Sequence, residues 1–308
     1  MQTTFNLKLA GLGLGCALLI GCGGGGGSGS NDSTGTLSLD ITDAPVDNVA
    51  EVWVQFTGVR IQPQDGDAIE FVFDSPMDID LLTLTGENSA SLLNSESVPA
   101  GEYNWIALDV NAQFDTVFDS FVTLDDGGQV ELQVPSGSQQ GLRLVSGFTV
   151  TANQNSSFII DWDLRKGLTD PQGQDGVFLR PALRIVDMTE HGTLGGSVAD
   201  ALIMDESCTN DSADGTGNLV YVYEGADVTP VDVDGNDPDP LTTGSVAVDD
   251  QAAGAYTYSI PFLSPGEYTV AFTCQGLDDD PETADDLVFV QAQNAEVTDS
   301  EETTIDFE

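Results

Sequence analysis

Positive charge is what this sequence has least of. Seven Lys and Arg stand against 52 Asp and Glu, a formal net charge of −45. A surface of that sign repels phosphate backbones, which excludes nucleic acid as a partner. Histidine is scarcer still. The single one, His191, lies in Thr189-Glu190-His191-Gly192, a surface or hinge setting. Any Ser-His-Asp or Cys-His arrangement would have to be built on that one residue. No Gly-rich loop follows a strand and opens a helix, so a phosphate cradle of that kind is absent from the pattern. The apolar run 9–20 is also too short for a spanning helix, which needs roughly 20 residues. It suits the apolar core of an export signal, preceded here by the lone charge of Lys8.

Cysteine is sparse, at four residues, and each position has a reading. Leu19-Ile20-Gly21-Cys22 resembles the lipobox of bacterial lipoproteins. The resemblance implies that the signal 1–21 is removed and that Cys22 becomes an acylated N-terminus, so the chain is anchored to a membrane through acyl chains. Gly23 follows Cys22 where the inner-membrane retention signal would have Asp, which points to the outer membrane and leaves its side open. A soluble secreted protein cut elsewhere is the alternative. Behind Cys22, residues 22–35 are rich in Gly and Ser and read as a flexible tether whose reach grows as about 5–6 Å × √n. Cys16 leaves with the signal, so Cys208 and Cys274 remain. In an oxidising compartment an even pair forms a disulfide. A zinc site would need more Cys or His ligands.

From Thr36 onward apolar residues recur with period two, interrupted by Gly, Pro, Asn and Asp, the mark of short strands and turns. Strands are expected at 36–42, 51–61, 69–73, 103–110, 118–124, 129–134, 142–145, 147–151, 157–164 and 180–187. Residues 77–84 read as strand or short helix and 89–94 as a helical turn. The pattern restarts after His191, with strands at 193–204, 218–223, 244–248, 255–260, 267–274, 287–291 and 296–307. The expectation is an all-β chain of two β-sandwich domains, 36–190 and 191–308, each large enough for its own core. Pro99-Ala100-Gly101-Glu102-Tyr103 is echoed by Ser264-Pro265-Gly266-Glu267-Tyr268, which we read as shared turn chemistry.

The segments 35–46, beginning Gly35-Thr36-Leu37 and containing Thr42-Asp43-Ala44-Pro45, 98–103 and 180–185 resemble a bacterial lipoprotein family known as domain of unknown function 4382. The likeness covers about residues 35–190 and implies an extracytoplasmic β-domain on a lipid anchor without an established activity. Leu194-Gly195-Gly196-Ser197-Val198 and residues 254–273 are similar to carboxypeptidase-regulatory-like or prealbumin-like modules. Neither resemblance brings catalytic residues with it.

Two acidic clusters are candidates for calcium, which takes 6–8 oxygens at about 2.3–2.6 Å. One is Asp232, Asp234, Asn236, Asp237 and Asp239. It is not an EF-hand, because Gly235 comes fourth in the loop and Thr243 holds the position that needs Glu. The sharper one is Asp278, Asp279, Asp280, Glu282, Asp285 and Asp286, just after Cys274. Solvated acidic loops are the plain alternative. Trp53, Tyr103 and Trp105 are candidates for a solvent-facing platform that stacks on sugar rings, with buried packing as the alternative. Arg165, Lys166, Arg180 and Arg184 fall close together and either receive an anionic ligand or neutralise neighbouring carboxylates. These readings lead to a non-enzymatic, outer-membrane-anchored binding, adhesion or structural module whose partner is a glycan or an envelope protein. The alternative class is a carbohydrate-active enzyme using paired carboxylates. With this many acids, some pair always lies at a suitable separation, so sequence cannot argue for it.

Overall fold

The computed structural model describes residues 33–308 apart from 45, 47–48, 136–140, 171–175, 209–215 and 249–254. The segments expected to be a signal and most of a tether, Cys22 included, therefore lie outside the described residues. The first sandwich contains β1 (Thr34–Ala44), β2 (Val49–Pro63), β3 (Ile69–Asp80), β4 (Ala90–Pro99), β5 (Gly101–Val110), β6 (Phe121–Leu124) and β7 (Gln129–Gln133). It continues with β8 (Leu142–Leu144), β9 (Phe148–Val150), β10 (Asn155–Asp163), β11 (Leu168–Thr169), β12 (Val177–Leu179) and β13 (Leu183–Asp187). One sheet has the order β13-β10-β1-β4, and the other runs β11-β12-β7-β6-β2-β5-β8 with β3 on β2 and β9 on β5. The second sandwich contains β14 (Gly192–Val198), β15 (Leu219–Glu224), β16 (Thr242–Ser245), β17 (Ala247–Val248), β18 (Tyr256–Leu263), β19 (Gly266–Thr273), β20 (Gln291–Val297) and β21 (Glu302–Thr304). Its sheets are β17-β18-β14-β21 and β16-β15-β19-β20.

Period-two patterning sets the inner faces. In β2, Val52, Val54 and Phe56 are fully buried, and the parity then shifts to Val59 and Ile61. The shift falls at a register break between Phe56 and Gly58 against both β3 and β5, which is the signature of a bulge. Glycine is required there, because a Cβ on Gly58 would meet the carbonyl oxygen of Phe71 at 2.5 Å. The echoed turns share more than Pro and Gly. Tyr103 donates its hydroxyl hydrogen to the Pro99 carbonyl at 2.7 Å, and Tyr268 does the same to Ser264 at 2.7 Å. Each sandwich thus ties a strand start to its preceding turn with a buried tyrosine.

Strand β10 is buried on both sides. Phe158, Ile160 and Trp162 face the first core, while Ile159 packs with Val186 against Phe262 of the second sandwich. That second coat explains how Asp161 and Asp163 come to be only 5% exposed. Residues 33–308 form one compact unit.

Several expectations are corrected. Residues 90–94 of the expected helical turn 89–94 begin strand β4, because their apolar pair Leu92 and Leu93 is buried in the first core. Segment 77–84 divides into the end of β3 and a 3-10 turn, Leu81–Leu84, capped by Asp80. Segment 193–204 divides into β14 and a helical turn, Asp200–Ile203. The strands expected at 287–291 and 296–307 are replaced by β20 and β21. Leu287 and Phe289 instead cover the outer face of β15 and β19. Thr34 and Gly35, expected in the tether, belong to β1, where a Cβ on Gly35 would meet the Thr151 carbonyl oxygen at 2.4 Å. Hairpins are also not the whole topology, since β1 pairs with β10, β7 with β12 and β14 with β21 in parallel.

Candidate functional site

The two acidic stretches read separately in the sequence meet in the fold. Residues 225–241 connect β15 to β16 and residues 274–290 connect β19 to β20. Both loops lie over the outer face of the same sheet. There Leu219, Tyr221, Tyr223 and Ala271 pack with Val228, Val231 and Val233 from one loop and Leu287 and Phe289 from the other. Burying those apolar residues brings Asp232 beside Asp279 and Asp285, with one carboxylate oxygen from each within 4.8 Å of the others.

Asp279 is the most constrained of the three. Its Oδ2 accepts the Tyr221 hydroxyl hydrogen and its Oδ1 accepts the backbone N–H of Val233 at 3.2 Å. Burial pushes its carboxyl up to about 6, against the opposing Tyr221 hydrogen bond and the Arg165 guanidinium. Asp232, 6% exposed, accepts the backbone N–H of Asp285, whose own Oδ2 accepts the N–H of Asp280 at 2.7 Å. The loops therefore hold each other through the same carboxylates that converge. The donor set is all oxygen, the chemistry that suits calcium.

The remaining acids of the two clusters go elsewhere. Asp280 closes a turn by accepting the Glu282 N–H at 3.0 Å, and Glu282 pairs with Arg180 at 3.3 Å. Asp278 and Asp286 are exposed. Asp234 accepts from the backbone and side chain of Asn236 at 2.8 and 3.0 Å, which lowers its carboxyl. Asp239 pairs with Lys166. The six-carboxylate set from Asp278 to Asp286 is thus corrected to two of its members, Asp279 and Asp285, joined by Asp232.

Cys208 and Cys274 form a disulfide with Cα atoms 5.3 Å apart. It fixes the start of the loop that carries Asp279 and Asp285, and Gln275 reinforces it by donating to the Ser207 carbonyl at 2.8 Å.

The clustered cations have protein partners, and all four reach from the first sandwich to the second. Asp163 caps a helical turn, Leu164–Gly167, at the end of β10 by accepting the Lys166 N–H at 3.3 Å. From this turn Arg165 donates to the Gly276 carbonyl at 2.9 Å, and Lys166 reaches Asp239 and the Pro240 carbonyl. Arg180 pairs with Glu282, and Arg184 holds Asp161 at 2.6 Å while donating to the Phe262 carbonyl at 2.5 Å. His191 lies against Phe262 with ring centroids 5.7 Å apart.

The aromatic platform does not assemble. Tyr103 is 2% exposed and stacks on Phe148 at 4.8 Å. A register break places Gln62 opposite Trp105 but Pro63 opposite Tyr103, so one extra residue in β5 turns Tyr103 inward. Arg143 covers Trp105, its guanidinium 3.8 Å from the ring centroid. Trp53 lies nine residues along β2 from Gln62, about 30 Å at the rise of a strand. The apolar surface that sequence reading missed is the loop 111–120, where Phe114, Val117 and Phe118 are 51%, 54% and 46% exposed.

Residues 34–181 match the model of the family described as Domain of unknown function (DUF4382). No curated protein matches the sequence. Among solved structures, the chain is similar to a leucine-rich repeat protein from Bacteroides thetaiotaomicron, with 12% identity over 90% of this chain and 26% of that one, TM-score 0.23. It is also similar to the Bacillus anthracis TIE protein, with 12% identity over 90% of this chain and 34% of that one, TM-score 0.18. The chain thus spans about a quarter and a third of those two proteins. A third likeness is to the minor pilin of Streptococcus agalactiae, with 12% identity, 89% of this chain and 95% of that one, TM-score 0.19. Among the described residues, no helix is long and apolar enough to cross a membrane.

Proposed function

We propose that this chain is a non-enzymatic binding module of the bacterial envelope, held on the outer membrane by acyl chains on Cys22 and stiffened by calcium at Asp232, Asp279 and Asp285. The observation that carries the reading is the convergence of three carboxylates from two loops, two of them buried, within 4.8 Å. Like charges packed so closely repel unless a cation or proton relieves them. A cation ligated there staples both loops to the sheet beneath. Arg165 nearby opposes a second positive charge, so the affinity belongs in the range of extracellular modules, about 10⁻⁴–10⁻³ M.

The binding surface is the exposed loop carrying Phe114, Val117 and Phe118, which suits an envelope protein. The lipobox-like Leu19-Ile20-Gly21-Cys22 and the Gly/Ser tether support the anchor. The second sandwich is taken as prealbumin-like, on Leu194-Gly195-Gly196-Ser197-Val198 and its paired four-stranded sheets.

Two experiments test this reading. Millimolar calcium should raise the unfolding temperature of the full chain by several degrees over EDTA, since it binds the native state. Asp285→Asn should shrink that increment, and equal unfolding temperatures for the unmodified chain in calcium and EDTA would remove calcium from the account. Separately, Cys22→Ser should move the protein from the membrane pellet to the soluble fraction. Continued pelleting of the variant after a high-salt wash would contradict the anchor.

A further inference from the structure

The two sandwiches meet around a small space that neither fills. Thr42, Asp43, Asp161 and Arg184 line it from the first, Thr243 and Phe262 from the second, and its volume is about 30 Å³. That is room for one water molecule. Asp43 is 4% exposed, and neither of its carboxyl oxygens has a hydrogen-bonding partner among the described residues. Thr243 is 2% exposed, and its Oγ1 lacks a partner among them as well. Buried polar groups are nearly always bonded. Here two unbonded ones, contributed by different sandwiches, line the same space.

The charged groups around Asp43 decide which form it takes. Burial, then repulsion by Asp161 and Asp163 of β10 and by Asp80 at the end of β3, holds its carboxyl well above the usual range. The backbone N–H of Leu164 opposes them but falls outside hydrogen-bond geometry. Arg184 of β13 is the one cation among the described residues that line the space. It is committed, with Nε and Nη2 on Asp161 and Nη1 on the Phe262 carbonyl. From the second sandwich come the hydroxyls of Thr242, Thr243 and Ser259 and, among the described residues, no charge. His191 packs its ring on Phe262. An ionised Asp43 would therefore sit among carboxylates with no cation to itself, a costly state. The neutral acid offers one O–H donor and one acceptor, and a single water can join it to the Thr243 hydroxyl.

We propose that Asp43 is an acid-strengthened latch between the sandwiches, bridged as a neutral acid through one water to Thr243, and that its ionisation loosens their contact at this corner. A charged carboxylate needs more water than a space of about 30 Å³ admits, and more enters only if the sandwiches part. The native carboxyl titrates above the unfolded one. The stability it contributes is therefore full below the unfolded value, about 3.9, and is lost as pH rises through the native value. The latch joins the sandwiches directly, whereas the Asp232 cluster holds loops of the second one, so neither depends on the other.

The test is urea unfolding of the full chain in EDTA from about pH 4 to about pH 8, parent against Asp43→Asn, whose amide stays neutral throughout. Between the unfolded and native values, the folding equilibrium constant of the parent should fall relative to the variant by about tenfold per pH unit. The variant should be the more stable of the two at the alkaline end. Hydrogen exchange in β16 and β18, referenced to the rest of the second sandwich, should quicken over the same range in the parent only. His191→Gln should keep the fall, and its disappearance there would assign the effect to the histidine and overturn the inference. A parent-to-variant ratio that stays constant with pH would overturn it as well. Should Asp43→Asn not fold, Asp43→Thr, smaller and also neutral, gives the same comparison.

Discussion

Replacing both Cys208 and Cys274 with serine is expected to lower the unfolding free energy of the second sandwich by about 4 kcal/mol. The bridge closes a loop with a sequence separation of 66, and the loss of that closure from the unfolded ensemble accounts for the figure. Cys274 is fully buried in the second core, so a serine there adds an unsatisfied hydroxyl. The bridge also anchors the loop bearing Asp279 and Asp285, so the calcium increment should shrink with it. Urea unfolding with and without reductant checks this. An unchanged midpoint on reduction would contradict the structural role assigned to the bridge.

Arg184→Met is expected to cost about 3–5 kcal/mol, the range for breaking a buried ion pair by removing one partner. Arg184 and Asp161 have side chains only 17% and 7% exposed, and Arg184 also satisfies the Phe262 carbonyl across the interface. Removing the guanidinium leaves Asp161 charged beside Asp43 and Asp163. Most of the loss therefore belongs to the abandoned carboxylate rather than to the pair itself. The double variant Arg184→Met, Asp161→Leu should recover a large part of it, and a double-mutant cycle reads the difference. Strictly additive effects would show that the two residues do not act as a pair.

The parts of the fold that depend on local chemistry were legible in the chain. Alternation in 51–61 marked the inward residues Val52, Val54 and Phe56, and cysteine arithmetic identified the bridge. The Gly-Glu-Tyr echo marked equivalent turns, although not the tyrosine hydrogen bonds that close them. What stayed hidden depends on register or on partners far along the chain. The bulge between Tyr103 and Trp105 reverses the parity on which the aromatic platform rested. Leu92 and Leu93 read as a helical turn because the strand is bent, with Ser95 at φ 53° and a register shift against β1. Leu287 and Phe289 carry a strand pattern but serve as the lid of an outer face that only long loops could cover.

The candidate sites were hidden for the same reason. Asp232 meets Asp279 and Asp285 because two loops cover one sheet face, so runs of acids in sequence order overstated each local cluster and assigned Asp232 to a separate one. Asp43 was visible only as part of Thr42-Asp43-Ala44-Pro45, a turn segment. Its burial depends on a second sandwich that packs over the end of β1.

The central claim, that an oxygen cluster in this chain holds calcium, is tested most directly by long-wavelength anomalous diffraction from crystals of the full chain grown in calcium. The account predicts an anomalous peak surrounded by the carboxylates of Asp232, Asp279 and Asp285, with oxygen distances of about 2.3–2.6 Å. Well-ordered carboxylates there with no anomalous peak between them would contradict it.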